Sequence, residues 1–238
     1  MRMTEPHLAP MRGRPQPDRA TVLASDRLRV LADPLAAVLL GRVRDRRTSG
    51  GEFSGLSEQI ATRVLWAALD DISVRPGEAL GFDGTRIEVP VLSERVAGVV
   101  ILRAGLIFAP PLRALLPDAP IYQVGVRRDE RSLDAHLYAS NLPAEPDWAD
   151  RVIVLDPMIA TGGSTCLAVE EIRRTCAGRI VVASLIAAPL GIDVLLRADP
   201  DIRIVTASLD EALDERGYIV PGLGDAGDRL FGTPAQPE

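Results

Sequence analysis

The sequence predicts an α/β fold, a parallel sheet flanked by helices and preceded by N-terminal helices. Three observations carry this expectation. Val96–Leu102 and Val152–Leu155 hold no polar side chain, and Ile180–Ala187 holds only Ser184, the pattern of strands covered on both faces. Helical stretches separate these runs, so the strands run parallel with crossovers between them. The chain has 238 residues, 47% of them hydrophobic, enough for one sizeable core.

Taken in order, residues 1–24 carry Pro6, Pro10, Pro15 and Pro17 among polar positions and are expected to be disordered or loosely attached. Residues 25–238 are expected to form a single domain. Asp33 followed by Pro34 is a cap-then-first-turn start, and Leu35, Val38, Leu39 and Val43 recur at helix spacing. Ser49-Gly50-Gly51 marks a break. A second amphipathic helix runs from Phe53 to about Leu69, with Leu56, Ile60, Val64 and Leu65 on one side. Both helices should pack on the sheet or form a subunit contact. After the strand Val96–Leu102 comes a short helix, Leu106–Leu115, broken by Pro110 and Pro111, then a strand at Ile121–Val126. Leu133–Ala149 is polar and Pro-containing and reads as an irregular flap. Gly163–Cys176 and Ile192–Leu196 are expected helices and Ile202–Thr206 a last strand. Residues 217–233 contain five Gly and a Pro, which argues against helix or regular strand. Tyr218, Ile219, Val220, Leu223, Leu230 and Phe231 give this stretch too much apolar mass for a free tail. It reads as an ordered loop over the sheet edge.

Composition excludes several chemistries. There is no Lys, and all 27 basic residues are Arg. Schiff-base sites and the Lys-ended nucleotide-triphosphatase loop are therefore ruled out. Arg instead suits flat, two-pronged contact with phosphate. Formal net charge is −6, a poor match to nucleic acid as a partner. Cys166 and Cys176, with His7 and His136, are too few for a disulfide framework or a zinc site. The two thiols read as buried helix residues and fit a reducing compartment, and His136 as an exposed loop residue. No apolar run suits a membrane span or a signal core, so a cytoplasmic location is expected.

The most informative segment is 151–165, RVIVLDPMIATGGST. A buried strand ends at Asp156, a turn passes through Thr161-Gly162-Gly163-Ser164, and a helix begins. Free N–H groups at a helix start form an anion cradle, and Thr161, Ser164 and Thr165 add hydroxyl donors. A carboxylate beside such a cradle makes sense when the ligand also carries hydroxyls, as a ribose phosphate does. An ordinary strand–turn–helix, with Ser as the cap, would use some of the same residues. Arg103 follows directly on Val96–Leu102, and Arg127 and Arg128 follow Ile121–Val126. Ligands of parallel sheets sit outside the carboxyl ends of the strands, so these guanidiniums and Asp156 should share one rim.

These residues resemble the phosphoribosyltransferase family, and within it the uracil phosphoribosyltransferases. The signature DPM-[LI]-ATGGS stands intact as Asp156, Pro157, Met158, Ile159, Ala160, Thr161, Gly162, Gly163 and Ser164. ILRAGL around Arg103, VGVRRDE around Arg128 and GYIVPGLGDAGD from Gly217 are similar to further family segments. The resemblance spans roughly 33–233. It implies a phosphoribosyltransferase-like sheet with a C-terminal base-binding hood at about 208–233, and the substrates uracil and 5-phosphoribosyl-1-diphosphate. It assigns catalytic roles to Arg103, Arg128, Asp156 and Asp225. Arg103, Arg128, Asp225 and the whole signature from Asp156 to Ser164 would hold the diphosphate donor, with Asp129 and Glu130 pairing with Arg128. Ile219, Gly224, Asp225 and Ala226 would read uracil through the backbone. No protein metal site is implied, since Mg²⁺ would arrive on the donor's diphosphate. Homodimers or homotetramers and a GTP effector are implied by similar proteins. A modified pyrimidine as acceptor, or a nucleotide-sensing regulator, are the alternatives. Where the family has Gly-Met-(apolar)-Asp-Gly, this chain has Ile107-Phe108-Ala109-Pro110-Pro111, expected to stiffen and enlarge a loop beside the diphosphate.

Overall fold

The computed structural model describes residues 16–128 and 135–233, with only the backbone of Arg128. Residues 1–15, Asp129 and Glu130 lie outside the described residues, together with the expectations placed on them.

The core is one mostly parallel sheet. Its strands are β1 (Leu28–Val30), β4 (Val96–Leu102), β5 (Ile121–Arg128), β6 (Ala135–Ser140), β7 (Arg151–Leu155), β8 (Met158–Ile159), β9 (Arg179–Ala187) and β10 (Arg203–Leu209). Their order is β1-β10-β9-β7-β4-β5-β6, with β8 pairing on the end of β9. Among the described residues of this sheet, β6 alone is antiparallel. A separate hairpin, β2 (Val74–Leu80) and β3 (Arg86–Leu92), stands apart from it, and a two-residue pair, β11 (Ala212–Leu213) and β12 (Ile219–Val220), follows β10.

Each face buries one apolar cluster. On one side α2 (Pro34–Arg44) and α3 (Gly50–Ala68) set Leu39, Val43, Phe53, Ile60 and Val64 against Val100, Leu155 and Val205. On the other, α5 (Gly163–Arg173) and α6 (Pro189–Ala198) set Cys166, Val169, Ile172 and Leu195 against Val99, Val154 and Val182. Asp33 caps α2 by accepting from Leu35 and Ala36 N–H, with Pro34 in the first turn. Ser49 caps α3, so Gly50 and Gly51 are its first turn and not the expected break. At the floor of the sheet Arg151 is fully buried, donating to Glu94 at 2.7 Å and Asp71 at 2.6 Å.

Further expectations need correction. Residues 16–24 are seated on the domain: α1 (Arg19–Leu23) is capped by Asp18, Val22 is buried, and Arg19 donates to the Leu209 carbonyl at 3.0 Å. The polar stretch read as an irregular flap contains β6, and His136 is exposed on that strand. Arg127 and Arg128 are the last residues of β5 instead of following it. The tail holds β12 and a short helix, α7 (Ala226–Phe231). Gly227 lies inside that helix and the other tail glycines flank it: Asp225 caps it, and Gly232 (φ 63°) ends it in the left-handed region that glycine favours. Between β4 and the helix α4 (Ala109–Leu115) runs a 3₁₀ turn, Ala104–Phe108. Ile107 and Phe108 in it are buried in the core, and Pro110 and Pro111 open α4. The family-divergent segment therefore fills the core behind the rim and does not enlarge a loop beside the site.

Gly105 in that turn lies against the Leu155 carbonyl, with Val100 Cγ1 3.1 Å from where a Cβ would stand. This close approach lets the turn after β4 sit beside the turn after β7. Gly105→Ala should lower stability by about 1–3 kcal/mol through overpacking. Gly41→Ala, inside α2 with nothing within 4 Å, should instead raise it by about 0.5–1 kcal/mol. Denaturant midpoints of the two variants check both signs.

Candidate active site

A cavity of about 920 Å³ opens at the carboxyl ends of β4, β5 and β7. Its centre is the turn between β7 and α5. Gly162 is the N-cap of α5 with φ 82°, and no side chain caps the helix. The N–H groups of Gly163, Ser164 and Thr165 therefore lie in a first turn with no intrahelical acceptor, at the positive end of the helix dipole. Ser164 is not the cap that an ordinary strand–turn–helix would make of it. The turn can fold this tightly because a second glycine faces it. A Cβ on Gly162 would lie 2.8 Å from the Gly191 carbonyl oxygen, and one on Gly191 2.5 Å from that of Ala160.

Asp156 lies under the turn, 9% exposed. Its Oδ2 accepts the Thr165 hydroxyl at 2.6 Å and its Oδ1 accepts the Met158 N–H at 3.3 Å. Thr165 thus serves the carboxylate and not, as expected, the anion. Burial pushes Asp156 up to about 6, only partly offset by those two hydrogen bonds. Each carboxylate oxygen keeps a further lone-pair direction for a ligand hydroxyl.

Arg103 begins the 3₁₀ turn after β4. Its Nη2 donates to Asp228 Oδ1 at 3.0 Å, and its guanidinium carbon lies 5.7 Å from the centre of the Phe231 ring. Both partners belong to α7, so the turn after β4 and the hood are already in contact. Arg127 lines the cavity from β5; the Arg128 side chain lies outside the described residues. From the hood, Tyr218, Ile219, Leu223, Gly224 and Asp225 complete the wall. Asp225 Oδ1 accepts from the Asp228 N–H at 2.9 Å.

The structure thus brings Arg103, Asp156, Met158, Ala160, Thr161, Gly162, Gly163, Ser164, Ile219, Gly224 and Asp225 to one cavity. It does not bring Pro157, Ile159 or Ala226 there. Pro157 is buried, Ile159 pairs β8 to β9 and packs in the core, and the methyl of Ala226, the first residue of α7, is fully buried.

Two residues that fix the hood escaped sequence reasoning. Arg44, at the end of α2, grips Asp210 with both nitrogens, at 2.7 and 2.6 Å, and donates to the Gly222 carbonyl at 2.6 Å. Asp210 is buried and also accepts the Gly222 N–H at 3.0 Å. Burial alone would raise the Asp210 carboxyl, but Arg44 and these hydrogen bonds hold it below its ordinary value. One carboxylate and one guanidinium therefore hold both backbone groups of Gly222, the residue after the cis Val220–Pro221 bond. No local signal marks this pair, because its members lie 166 positions apart.

A parallel sheet, a phosphate-type turn between β7 and α5 and a hood over the rim together define the phosphoribosyltransferase class. The profile of the uracil phosphoribosyltransferase family matches residues 30–233. Uracil phosphoribosyltransferase from Pediococcus pentosaceus is 44% identical over 205 residues, covering 86% of this chain and 97% of its own. That from Thermus thermophilus is 37% identical over 216 residues, covering 87% and 99%. A protein of solved structure from Aquifex aeolicus superposes with a TM-score of 0.82 at 32% identity, covering 87% of this chain and 99% of its own. The chain belongs to the uracil phosphoribosyltransferase family.

Arg44→Ala should strand the buried Asp210 charge and release the hood. The expected cost is about 3–5 kcal/mol of stability, and the base KM should rise more than that of the donor. Arg44→Ala combined with Asp210→Ala, which removes both charges, should recover part of the stability but not the base KM. Thermal unfolding and steady-state kinetics on the three proteins check this.

Proposed function

We propose that this protein is a uracil phosphoribosyltransferase, converting uracil and 5-phosphoribosyl-1-diphosphate to UMP and pyrophosphate in pyrimidine salvage. The observation that carries the proposal is a single cavity walled by the anion turn at Thr161–Ser164, by Arg103, and by the backbone-rich hood. The names of the relatives add support. The 5-phosphate would take the N–H groups at the start of α5 and the hydroxyls of Thr161 and Ser164. The ribose hydroxyls would donate to Asp156. Arg103 and Arg128 would face the diphosphate. The main chain at Ile219, Gly224 and Asp225 would read uracil, with Asp225 facing the reaction centre.

The reaction is a displacement at the anomeric carbon. A ring nitrogen of uracil forms the new bond, the carbon–oxygen bond to diphosphate breaks, its electron pair leaves with pyrophosphate, and the ring N–H proton is released. The chain positions the two substrates and places positive charge where the leaving group gains negative charge. Asp156 also lies near the sugar, where positive charge builds as the old bond breaks. Among the described residues there is no group of three His, Cys, Asp or Glu side chains that could hold a metal ion. In this reading Mg²⁺ would be carried by diphosphate oxygens and water. When bound, the ion spreads the charge of the diphosphate.

Asp156 gives the proposal a pH signature. Its proton is held more tightly in the folded than in the unfolded chain. The stabilising contribution of that proton is therefore full below about pH 4 and is lost as pH rises through about 6. Ionisation then costs the empty protein about 3 kcal/mol. Donor hydroxyls bond more strongly to the ionised form, so donor affinity should fall as pH drops below about 6. Asp156→Asn should flatten the stability profile across this window. It should also cut kcat/KM for the donor by about tenfold or more. Uracil-dependent pyrophosphate release against pH, on both proteins, tests the assignment. Faster turnover of another pyrimidine would move the substrate to a modified base, and donor binding without turnover would mark a regulator. GTP is a proposed effector, read in the same assay as a change in rate on its addition.

Self-association and location belong to the same proposal. Phe82 at the tip of the β2–β3 hairpin is fully exposed, and Leu80, Ile87 and Leu92 along it are also exposed. A two-stranded hairpin is marginal alone and needs a surface to cover its apolar side chains. We assign that cover to a second copy of the chain, giving a homodimer or homotetramer. Phe82→Glu should shift the sedimentation coefficient toward the monomer without unfolding the domain. Among the described residues no helix is long and apolar enough to cross a membrane. Cys166 and Cys176 are buried and form no disulfide among the described residues, and we place the enzyme in the cytoplasm, where thiols stay reduced.

A further inference from the structure

We propose that Tyr138 is a further donor-binding residue, its phenol hydroxyl hydrogen-bonding the diphosphate leaving group. The inference rests on the cavity being a phosphoribosyl-diphosphate site. It assigns an end of that cavity that the signature segments leave unexplained.

Three observations converge on Tyr138. The first is its register. On the antiparallel pair β5–β6, Gly125 faces Ala139 and Val126 faces Leu137, so Tyr138 is the extra residue of a bulge. Bulges next to active sites re-aim a side chain that regular pairing would send elsewhere. The second is the space made for its ring. A Cβ on Gly125 would lie 2.6 Å from both Cε2 and Cζ of Tyr138, so the hydroxyl-bearing end of the ring lies over a residue with no side chain. The third is its surroundings. Tyr138 lines the same cavity as Arg103 and Asp156 and is 59% exposed, and among the described residues no hydrogen bond engages its hydroxyl. An ordinary exposed tyrosine on an edge strand would need neither the bulge nor the bare Gly125.

The strand order selects the part of the ligand. Along the rim the sheet runs β10, β9, β7, β4, β5, β6. The hood follows β10, the phosphate turn follows β7, and Arg103 follows β4. Gly125 pairs directly with Leu102, the residue before Arg103. The Tyr138 ring therefore stands about one strand spacing, roughly 5 Å, beyond the start of the Arg103 turn, on the side away from the β10 end of the rim where the hood begins. A group there meets what Arg103 meets from the outer side, which is the diphosphate and not the base. A phenol is a neutral donor. It can hold an anionic oxygen without adding the charge that would slow the departure of product.

The test is direct binding of magnesium pyrophosphate and of ribose 5-phosphate by calorimetry, with donor and uracil KM values. Tyr138→Phe keeps the ring and removes the donor. It should weaken pyrophosphate and the diphosphate donor about tenfold, the loss of one hydrogen bond to a charged group. Ribose 5-phosphate affinity and uracil KM should stay within about twofold. Gly125→Ala, which pushes the ring aside, should give the same split. Unchanged pyrophosphate affinity in Tyr138→Phe, or an equal loss for ribose 5-phosphate, would overturn the Tyr138 assignment alone. A wild-type protein that binds neither pyrophosphate nor the diphosphate donor would overturn the site reading on which it rests.

Discussion

A helix start always leaves backbone N–H groups without intrahelical partners, and the architecture around α5 is arranged to leave those of Gly163, Ser164 and Thr165 facing a cavity. Other solutions to this constraint were available. A Ser or Asp at the N-cap would have absorbed one or two of these donors, as Ser49 and Asp33 do for α3 and α2. Here the N-cap is Gly162, in a left-handed conformation, packed against a second glycine that leaves no room for a side chain. The Thr165 hydroxyl, a natural competitor for a bound anion, is turned inward onto Asp156. Unmet donors cost about 1–3 kcal/mol each when water is excluded. A turn built this way favours an anionic ligand before any cation is counted.

The second constraint is that a loop reading a small planar base through its backbone must itself be rigid. Residues that do not themselves line the cavity supply the rigidity. Arg229 donates to the carbonyls of Val43, Leu223 and Asp45 at 2.5, 2.8 and 2.9 Å, and its guanidinium lies 4.2 Å from the centre of the Phe53 ring. With Arg44 and Asp210 it ties the hood to α2 and α3 at several backbone points. The N-terminal helices are thus part of the site's machinery without lining the cavity. This coupling gives their sequence a reason to be constrained by the base-binding loop as well as by the core.

Much of this was legible in the chain because burial leaves a mark. Val96–Leu102 matches β4 residue for residue, since a strand covered on both faces has nowhere to place a polar side chain. Asp156 and the glycines after it were legible because the turn allows few alternatives. Elements that bury little left weaker marks. The β2–β3 hairpin has no face packed on the core, so its apolar residues show no period tied to one. β6 is an exposed edge strand whose bulge breaks the alternation. In the tail, glycine content suggested the absence of helix, when in fact glycines on either side of α7 set its limits. Pro157 and Ile159 belong to an intact signature yet face the core: in a strand-like segment, alternate residues turn away from the ligand. The Arg44–Asp210 pair shows the deeper limit, since contacts between residues brought together only by folding have no local signature.

The absence of lysine takes on a second meaning in this light. From composition, arginine suggested phosphate. In the folded chain many arginines instead staple main-chain carbonyls. Arg27 closes the end of α6 by donating to the carbonyls of Leu196, Asp199 and Pro200. Arg173 holds the Asp199 carboxylate and the Gly178 carbonyl. Arg44, Arg151 and Arg229 each satisfy several acceptors at once. A guanidinium has five donors in a fixed plane and can serve acceptors on two elements together, whereas an ammonium is one compact, strongly hydrated point. Replacing any of these residues by lysine would keep the charge and leave part of the acceptor set unmet. The same property that fits arginine to a diphosphate fits it to the hinge between hood and helices. Of the arginines that line the cavity among the described residues, Arg103 is committed to Asp228 through a single nitrogen and Arg127 engages no described acceptor.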